Sequence, residues 1–224
     1  MANQQQTIVR SRTESILETN SVIKNTYILL AASICFSAAL AYVAMITNAK
    51  SLGAITFLVY FGLIFLINAT RNSALGILSV FAFTGFMGYT LGPVLNMYLY
   101  QFVNGKELIF TALGGTGIIF FALSGYALTT RKDFSFLAGF LMAGSIVLLL
   151  GVVASLFTQM PMLQLGLSAG FMMISAALIL FETSQIIHGG ERNYIMATVS
   201  IYVSLYNMFL SLLQLLSFFS GQRD

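Results

Sequence analysis

The chain has 224 residues, of which 58% are hydrophobic and 8% are charged, and its formal net charge is +3. Soluble proteins carry about 25% charged residues, and so few charges cannot cover the surface of a 24.4 kDa globule. The composition therefore excludes a soluble domain and predicts an integral membrane protein. Because the apolar blocks are about 20 residues long rather than about 10, we expect helices and not a β-barrel.

The polar residues exclude several classes of site. The basic residues are scattered at one or two per loop and form no patch, so we expect no nucleic-acid partner. Cys35 is the only cysteine, which excludes an intrachain disulfide and a thiolate metal cluster. His188, the only histidine, precedes Gly189 and Gly190, where a helix should end, and there it complements the helix dipole. No serine has a specific nucleophile context, so the sequence predicts neither an enzyme nor a cofactor nor a metal site.

Seven apolar blocks follow a polar segment, and each is long enough to cross a bilayer. They are Thr26–Ile46, Leu52–Thr70, Ala74–Met97, Leu108–Thr129, Phe136–Phe157, Leu163–Ile187 and Ile195–Phe219. We therefore predict an all-α integral membrane protein. It has a polar cytoplasmic tail over Met1 to Asn25, a transmembrane domain of seven helices over residues 26–219, and a short C-terminal tail over residues 220–224.

Basic residues near the membrane predict the orientation, because they prefer the cytoplasmic side. With the N-terminus inside, seven basic residues lie inside and three outside. The inner ones are Arg10, Arg12, Lys24, Arg71, Arg131, Lys132 and Arg192, and the outer ones are Lys50, Lys106 and Arg223. This predicts a cytoplasmic N-terminus and a periplasmic Asp224. In an alternative topology, the last block is a re-entrant hairpin and only six blocks span the membrane. This places eight basic residues inside and two outside, so the charges do not decide between the two topologies.

Small residues, tyrosines and one proline predict how the helices pack and lie in the bilayer. Pro93 lacks a backbone N–H, so it should kink or break the third helix and leave Asn96 to Tyr100 irregular. Small residues four apart predict close helix contacts. They are Thr84, Gly88 and Gly92, then Gly139 and Ala143, then Gly166 and Gly170. The chain has no tryptophan, so tyrosines near block ends should form the interfacial belt. These are Tyr27, Tyr42, Tyr98, Tyr100, Tyr194 and Tyr202.

Glu182 is the one acid that the block pattern places inside a span, about five residues from the inner end of the sixth block. A carboxylate inside a membrane is a functional hypothesis by default. The structural alternative is a carboxyl that is hydrogen-bonded in the bundle or snorkels to the interface. Arg71 closes the second block on the same side. It is either an ion-pair partner of Glu182, if the two helices are neighbours, or an anchor at the inner interface.

The last block carries a stripe of polar residues at spacings of 4, 3, 4 and 3. The stripe consists of Ser200, Ser204, Asn207, Ser211 and Gln214. This spacing places all of them on one face of a helix, which must meet protein or water because the flanks are apolar. The stripe either lines a hydrated path or binds helices together. Both interpretations place the last helix at the centre of the bundle.

Three segments resemble the Bax inhibitor-1 family, the transmembrane proteins with a Bax inhibitor motif. They are FETSQIIHGGERNYIMATVSIYVSLYNMF (Phe181 to Phe209), FAFTGFMGYTLGPVLN (Phe81 to Asn96) and ALTTRKDFSFLAGFLMAG (Ala127 to Gly144). Together they are similar to its bacterial, YccA-type branch. The resemblance implies a bundle of seven helices with the last helix central, in the inner membrane of a bacterium.

The family is associated with a pH-sensitive calcium leak through two acids, one on each of the last two helices. Glu182 matches the first acid, but Ser204 stands at the position of the second. A dyad that shares a proton needs two carboxyls, and calcium takes six to eight oxygen ligands. One carboxyl therefore does not complete the dyad or a calcium site. The alternative function that the resemblance implies is a pH-sensitive leak of calcium or protons, with Glu182, Ser204, Asn207 and Arg71 as the candidate residues along its path.

The YccA-type branch is associated instead with FtsH, a membrane-anchored ATP-dependent protease, which such proteins bind and modulate. That role needs no catalytic residue. The tail Met1 to Asn25 is the candidate partner-binding segment, because an unfoldase needs an unfolded end to grip. The resemblance thus implies an interaction protein that restrains the protease as a slowly degraded substrate or decoy.

Overall fold

A computed structural model describes the backbone of residues 2–53, 55–158 and 160–221, and the side chains of these ranges from residue 19 onward. Met1, Arg223 and Asp224 lie outside the described residues, as do the side chains of Arg10 and Arg12. Seven helices make up this part of the chain: α1 Ala2–Ile46, α2 Ile55–Thr70, α3 Ala74–Gln101, α4 Gly105–Thr130, α5 Leu137–Phe157, α6 Pro161–His188 and α7 Tyr194–Ser220. The predicted all-α class is confirmed, and each predicted block corresponds to one helix.

Six helices are long and apolar enough to cross a membrane. The exception is α2, which has 16 residues and an axial length of about 24 Å. The last block forms a single uninterrupted helix of 27 residues. The alternative in which this block is a re-entrant hairpin is therefore wrong.

The N-terminal segment differs from the expectation of an unfolded tail, since the backbone is helical from Ala2 onward. Residues 2–25 therefore extend α1 beyond the apolar block. The physical reason is that residues 2–46 contain neither glycine nor proline. A helix that is already nucleated in the span propagates into such a sequence at little cost.

Of the two effects predicted for Pro93, a kink or a break, the break is wrong, because α3 continues through Pro93 to Gln101. Proline removes one backbone hydrogen bond, and packing beyond it compensates. The side chain of Asn96 donates a hydrogen bond of 3.0 Å to the carbonyl oxygen of Met45. Tyr98 is buried and stacks on Phe102 with the ring centroids 5.6 Å apart. These contacts hold the predicted irregular segment in the helix.

Hydrogen bonds between loops divide the bundle into two ends. At one end, Asn193 of the α6–α7 loop donates to the carbonyl oxygen of Arg71 in the α2–α3 loop at 3.0 Å. We call this the basic end, because its described basic residues are Lys24, Arg71, Arg131, Lys132 and Arg192. At the opposite end, Asn104 of the α3–α4 loop donates to Ser220 Oγ, the last residue of α7, at 2.6 Å. The C-terminal end of α7 therefore lies away from the basic end.

The glycine ridge of α3 lets α1 approach closely. A Cβ atom at Gly88 would collide with the carbonyl oxygen of Ser37, and one at Gly92 would collide with Ala44. The contacts occur in the same order along both helices, so α1 and α3 run parallel, and α2 must return the chain between them. In the other two ridges, Cβ atoms at Gly139 and Gly166 would meet nothing within 4 Å, whereas a Cβ atom at Gly170 would meet the Leu148 side chain of α5 at 2.6 Å.

Within the described residues, α7 contacts α1, α2, α3, α4 and α6. Its fully buried side chains include Ile201, Met208 and Leu213. Within the described residues, α5 contacts α6 alone, and its only buried residues are Leu141 and Leu148. The polar stripe of α7 therefore faces other helices along most of its length, with α5 attached at the edge of the bundle.

Candidate functional site

Glu182 lies on α6, six residues before the helix ends at His188, and its side chain is half-buried. The Ser200 hydroxyl of α7 lies beside its carboxyl, and Glu191 of the α6–α7 loop lies nearby. Because α6 and α7 are joined by a short loop and pack antiparallel, residues near the end of α6 face the first turns of α7. The polar neighbour of Glu182 is thus Ser200, one turn before Ser204.

Ser204 and Arg71 do not join this carboxyl. Ser204 is buried, and its hydroxyl donates to the carbonyl oxygen of Ser200 at 2.9 Å. Arg71 is exposed just beyond the end of α2. Within the described residues α2 and α6 do not contact each other. An ion pair between Arg71 and Glu182, which required these helices to be neighbours, has no support in the packing.

The basic end is organised by side chains that bond to loop backbones. Asn193 caps α7 by accepting from the backbone N–H groups of Ile195 at 3.0 Å and Met196 at 3.2 Å. Ser184 accepts from the backbone N–H of Phe134 at 2.9 Å. His188 Nδ1 lies 2.9 Å from the carbonyl oxygen of Ser184. A carbonyl oxygen only accepts, so this bond requires the proton on Nδ1.

The predicted end of the sixth helix is confirmed. The helix ends at His188, and Gly189 follows in the left-handed conformation with φ 75°. The backbone N–H groups of Gly190 and Glu191 both donate to the carbonyl oxygen of Gln185, at 2.8 and 3.2 Å. Glycine adopts this conformation without the steric cost that a Cβ atom would add. The turn directs the chain back into α7.

Tyr202 is not part of the interfacial belt, because it is only 4% exposed. Its hydroxyl lies 2.6 Å from Ser37 Oγ of α1 and donates to the carbonyl oxygen of Thr84 of α3 at 3.3 Å. One side chain of α7 thereby bonds to two other helices. The sequence interpretation missed this role because Tyr202 is only eight residues from the start of α7, where tyrosines commonly mark the interface.

The remaining stripe residues line a cavity between α5, α6 and α7, which we call the α5–α7 cleft. It has a volume of about 300 Å³ and combines apolar walls with six uncharged polar side chains. These are Ser155, Gln164, Ser168, Asn207, Ser211 and Gln214. Amides and hydroxyls inside a membrane need hydrogen-bond partners, so the cleft suits water or a small polar solute. It contains no carboxylate, which makes it a poor site for calcium.

Sequence reasoning found the α7 side of this cleft and missed the α6 side. Asn207 is about 10 Å along α7 from Ser200, so the cleft and the Glu182 carboxyl are separate polar regions. Gln164 and Ser168 are four residues apart and therefore share a face of α6. This spacing in the sequence could have predicted the polar face of α6 that lines the α5–α7 cleft. Within the described residues, no group of three or more His, Cys, Asp or Glu residues could hold a metal ion.

The sequence also matches known proteins over nearly its whole length. The profile of a family described as "Inhibitor of apoptosis-promoting Bax1" matches residues 19–221. A protein of Escherichia coli strain K12, "Modulator of FtsH protease YccA", is 55% identical over 207 residues, 92% of this chain and 94% of the relative. An uncharacterised protein of Pseudomonas aeruginosa is 54% identical over 205 residues, 91% of this chain and 92% of the relative.

The match extends from the first span through the last, which confirms the resemblance that was read from three segments of the sequence. The chain therefore belongs to the family described as "Inhibitor of apoptosis-promoting Bax1".

Proposed function

We propose that this protein binds an FtsH-type membrane-anchored protease in the bacterial inner membrane and restrains it as a slowly degraded substrate or decoy. The observation that carries the proposal is the 55% identity to a relative named "Modulator of FtsH protease YccA". The proposed orientation places the basic end and the N-terminus in the cytoplasm and the C-terminus in the periplasm. The proposal requires no catalytic residue in this chain.

The shape of the protein supports the N-terminal segment as the point of engagement. The segments between successive helices are only three to eight residues long. The part of α1 that precedes the apolar block, residues 2–25, is the longest stretch outside the predicted apolar blocks, and Val22 and Ile23 near its end pack against the core. An ATP-driven unfoldase needs an accessible end of sufficient length. Because the backbone of this segment is helical, the protease must unwind it before pulling on the span.

The packing of α1 supports slow extraction. A pull on the N-terminus acts first on α1, which contacts α3, α6 and α7. The closest part of that interface is the glycine ridge of α3 at Gly88 and Gly92. The hydroxyl contact between Ser37 and Tyr202 adds a buried hydrogen bond. The first step of extraction therefore breaks a tightly packed interface, and the protease is occupied while this happens.

The decisive experiment compares protein lifetimes in cells with and without the protease. We expect deletion of residues 2–18 to lengthen the lifetime in cells that contain the protease and to change nothing in cells that lack it. A variant with the sequence of residues 2–18 scrambled is the matched control, since it keeps length and composition. We expect the scrambled variant to be degraded like the wild type, because the unfoldase grips length rather than sequence.

A second variant tests whether unwinding limits the first step. Ser11→Pro breaks the helix in the extended segment, and proline in a helix interior costs about 3 kcal/mol. We expect this variant to be degraded faster than the wild type. Equal lifetimes of the wild-type and truncated proteins in both strains, together with failure of the protease to co-purify, would refute the proposal.

Glu182 favours a second candidate function, a pH-sensitive leak of calcium or protons. Its carboxyl is half-buried inside a span beside Ser200, and such groups commonly serve ion pathways. In this proposal the α5–α7 cleft supplies the hydrated part of the route. The single carboxyl and the two polar side chains of Ser204 and Asn207 provide few oxygen ligands for calcium, so protons are the better candidate.

Flux into liposomes that contain the purified protein tests this alternative. Glu182→Gln keeps the shape of the side chain and removes its charge, so the flux or its pH response should fall sharply. Glu107→Gln is the matched control, because Glu107 lies in the first turn of α4 at the opposite end. A wild-type protein that conducts no more than empty liposomes would exclude the leak.

A further inference from the structure

A cavity with a volume of about 880 Å³ lies at the basic end. We call it the basic-end cleft. Residues 19–23 and Asn25 of α1 form one wall, and the ends of α4 and α6 together with the α6–α7 loop form the other. The described lining of this cleft includes neither Glu182 nor any residue of the α5–α7 cleft. Its α1 wall belongs to the segment that we propose the protease engages, but that proposal assigns no ligand to the cleft.

Two arginines from different parts of the chain line this cleft. Arg131 follows α4 in the left-handed conformation, with φ 50°, and Arg192 lies in the α6–α7 loop. Among the described side chains, which begin at residue 19, the Nε–H of Arg192 donates to the carbonyl oxygen of Gly189 at 3.3 Å. A guanidinium has five N–H donors, and this bond uses one of them.

Two described acids near the cleft accept hydrogen bonds from neighbouring loop residues. Asp133 accepts from the hydroxyl of Ser135 at 2.6 Å and from its backbone N–H at 2.8 Å. Glu191 also lines the cleft, and its carboxylate accepts from the backbone N–H of Asn193 at 2.7 Å. Among the described lining residues, two arginines stand against one glutamate, so this part of the lining carries a net positive charge. The cleft therefore favours an anion that accepts several hydrogen bonds, such as a phosphate group.

The other lining residues distinguish a lipid from a free phosphate. Asn20 and Asn25 add polar groups on the α1 side, whereas Leu128, Ile186 and Ile187 form an apolar part of the wall. The cleft lies where the spans begin and end, which is the depth of the lipid headgroups in a bilayer. A free phosphate would use only the polar part. A phospholipid would place its phosphate against the arginines and its glycerol and upper acyl chain against the apolar residues.

We propose that the basic-end cleft binds the headgroup of an anionic phospholipid, which joins the first part of α1 to the ends of α4 and α6. The test uses full-length protein in detergent, titrated with phosphatidylglycerol and, separately, with zwitterionic phosphatidylcholine, and followed by native mass spectrometry. We expect phosphatidylglycerol to bind more tightly. Arg131→Gln combined with Arg192→Gln should weaken its binding about thirtyfold, since each basic residue near a membrane surface contributes about a factor of five.

The matched control is Lys50→Gln combined with Lys106→Gln, which removes the same charge at the opposite end. This variant should retain the wild-type affinity. An equal loss in both variants would overturn the proposal, because it would indicate attraction by net charge alone. Equal binding of phosphatidylglycerol and phosphatidylcholine would also overturn it. Displacement of the lipid by millimolar inorganic phosphate would overturn it as well, because it would show that the cleft binds free phosphate and does not select a lipid.

A measurement on the wild-type protein keeps the test independent of variant folding. Phosphatidylglycerol with a photoactivatable group in its upper acyl chain is cross-linked to the protein in membranes, and the labelled peptides are identified. We expect labels in residues 19–25 or 186–194 that unlabelled phosphatidylglycerol competes away. Labelling confined to other surfaces of the bundle would overturn the assignment of the lipid to this cleft.

Discussion

Tyr202 shows how a single side chain on α7 can hold its neighbours in place. Its hydroxyl group bonds to Ser37 of α1 and to the carbonyl oxygen of Thr84 on α3. All three residues are buried, so no water replaces a lost partner. A buried polar group that loses its partner costs more than the bond itself contributes.

We predict that Tyr202→Phe lowers the free energy of unfolding by about 1 kcal/mol, because it leaves Ser37 without its partner and removes little volume. Tyr42→Phe is the matched control, since Tyr42 is 64% exposed. Denaturation of the purified proteins in mixed micelles measures both. A loss of the same size in the control would show that the effect does not depend on the buried contact.

Asp133 permits a prediction about pH at the same scale. The hydroxyl and the backbone N–H of Ser135 donate to this exposed carboxylate and lower its pKa below the ordinary value of 3.8. Ionisation of Asp133 therefore stabilises the folded state relative to the unfolded state. This contribution to the stability is fully present at a pH above the ordinary pKa of aspartate, and it is lost as the pH falls through the lowered pKa of Asp133.

We expect an NMR titration to place the pKa of Asp133 below 3.8 in the folded protein. Ser135→Ala removes the hydroxyl donor and should raise the pKa part of the way back, because the backbone donor remains. Ser135→Thr keeps a hydroxyl group and should leave it low. A pKa of Asp133 that is the same in wild type and Ser135→Ala would contradict this account.

At the scale of elements, the close contact of α1 with α3 depends on glycine at Gly88 and Gly92. A Cβ atom at Gly88 would meet the backbone of Ser37, which cannot move without displacing α1. In contrast, a Cβ atom at Gly114 on α4 would meet nothing within 4 Å. Gly88 and Gly114 both lie within helices, but only Gly88 packs against a neighbouring helix.

We predict that Gly88→Ala destabilises the protein by about 1–3 kcal/mol through overpacking. Gly114→Ala should be neutral or stabilise it by about 0.5–1 kcal/mol, because alanine favours the helix. Unfolding of both variants under the same conditions tests the pair. If both change the stability in the same direction, the difference in packing is not the cause.

The third helix illustrates how local sequence and tertiary structure can disagree. Pro93 by itself predicts an interruption, and the local rule is correct that one backbone bond is lost. The sequence does not reveal that Asn96 will bond to α1 or that Tyr98 will be buried. These contacts join residues far apart in the chain and are favourable enough to continue the helix.

At the scale of the whole molecule, the hydrogen bonds between loops assign five described basic residues to one end and Lys50 and Lys106 to the other. Combined with the preference of basic residues for the cytoplasm, this division predicts the orientation of the bundle. The C-terminal end of α7 should face the periplasm. Labelling from one side of the membrane can test this directly.

We predict that a membrane-impermeant maleimide added to intact spheroplasts labels Ser220→Cys and not Asn72→Cys. Asn72 lies in the α2–α3 loop at the basic end, and Ser220 ends α7 at the opposite end. Cys35 is replaced by serine in both, because it is the only native cysteine. Labelling of Asn72→Cys before lysis would reverse the proposed orientation.

The sequence by itself determined the membrane class, the seven helices and the family. These depend on composition, on the length of apolar blocks and on motifs, all of which are local or additive along the chain. The polar stripe of α7 and the end of α6 at His188 were also readable, since helical spacing and glycine conformation are local properties.

Only the tertiary structure decided which side chains meet. It placed Ser200 rather than Arg71 beside Glu182, and it buried Tyr202 against α1 and α3. It also brought Arg131 and Arg192 to one cleft. The reason is physical, because such contacts depend on which helices are neighbours and on their axial register. Both are fixed by the packing of the whole bundle and not by any one segment.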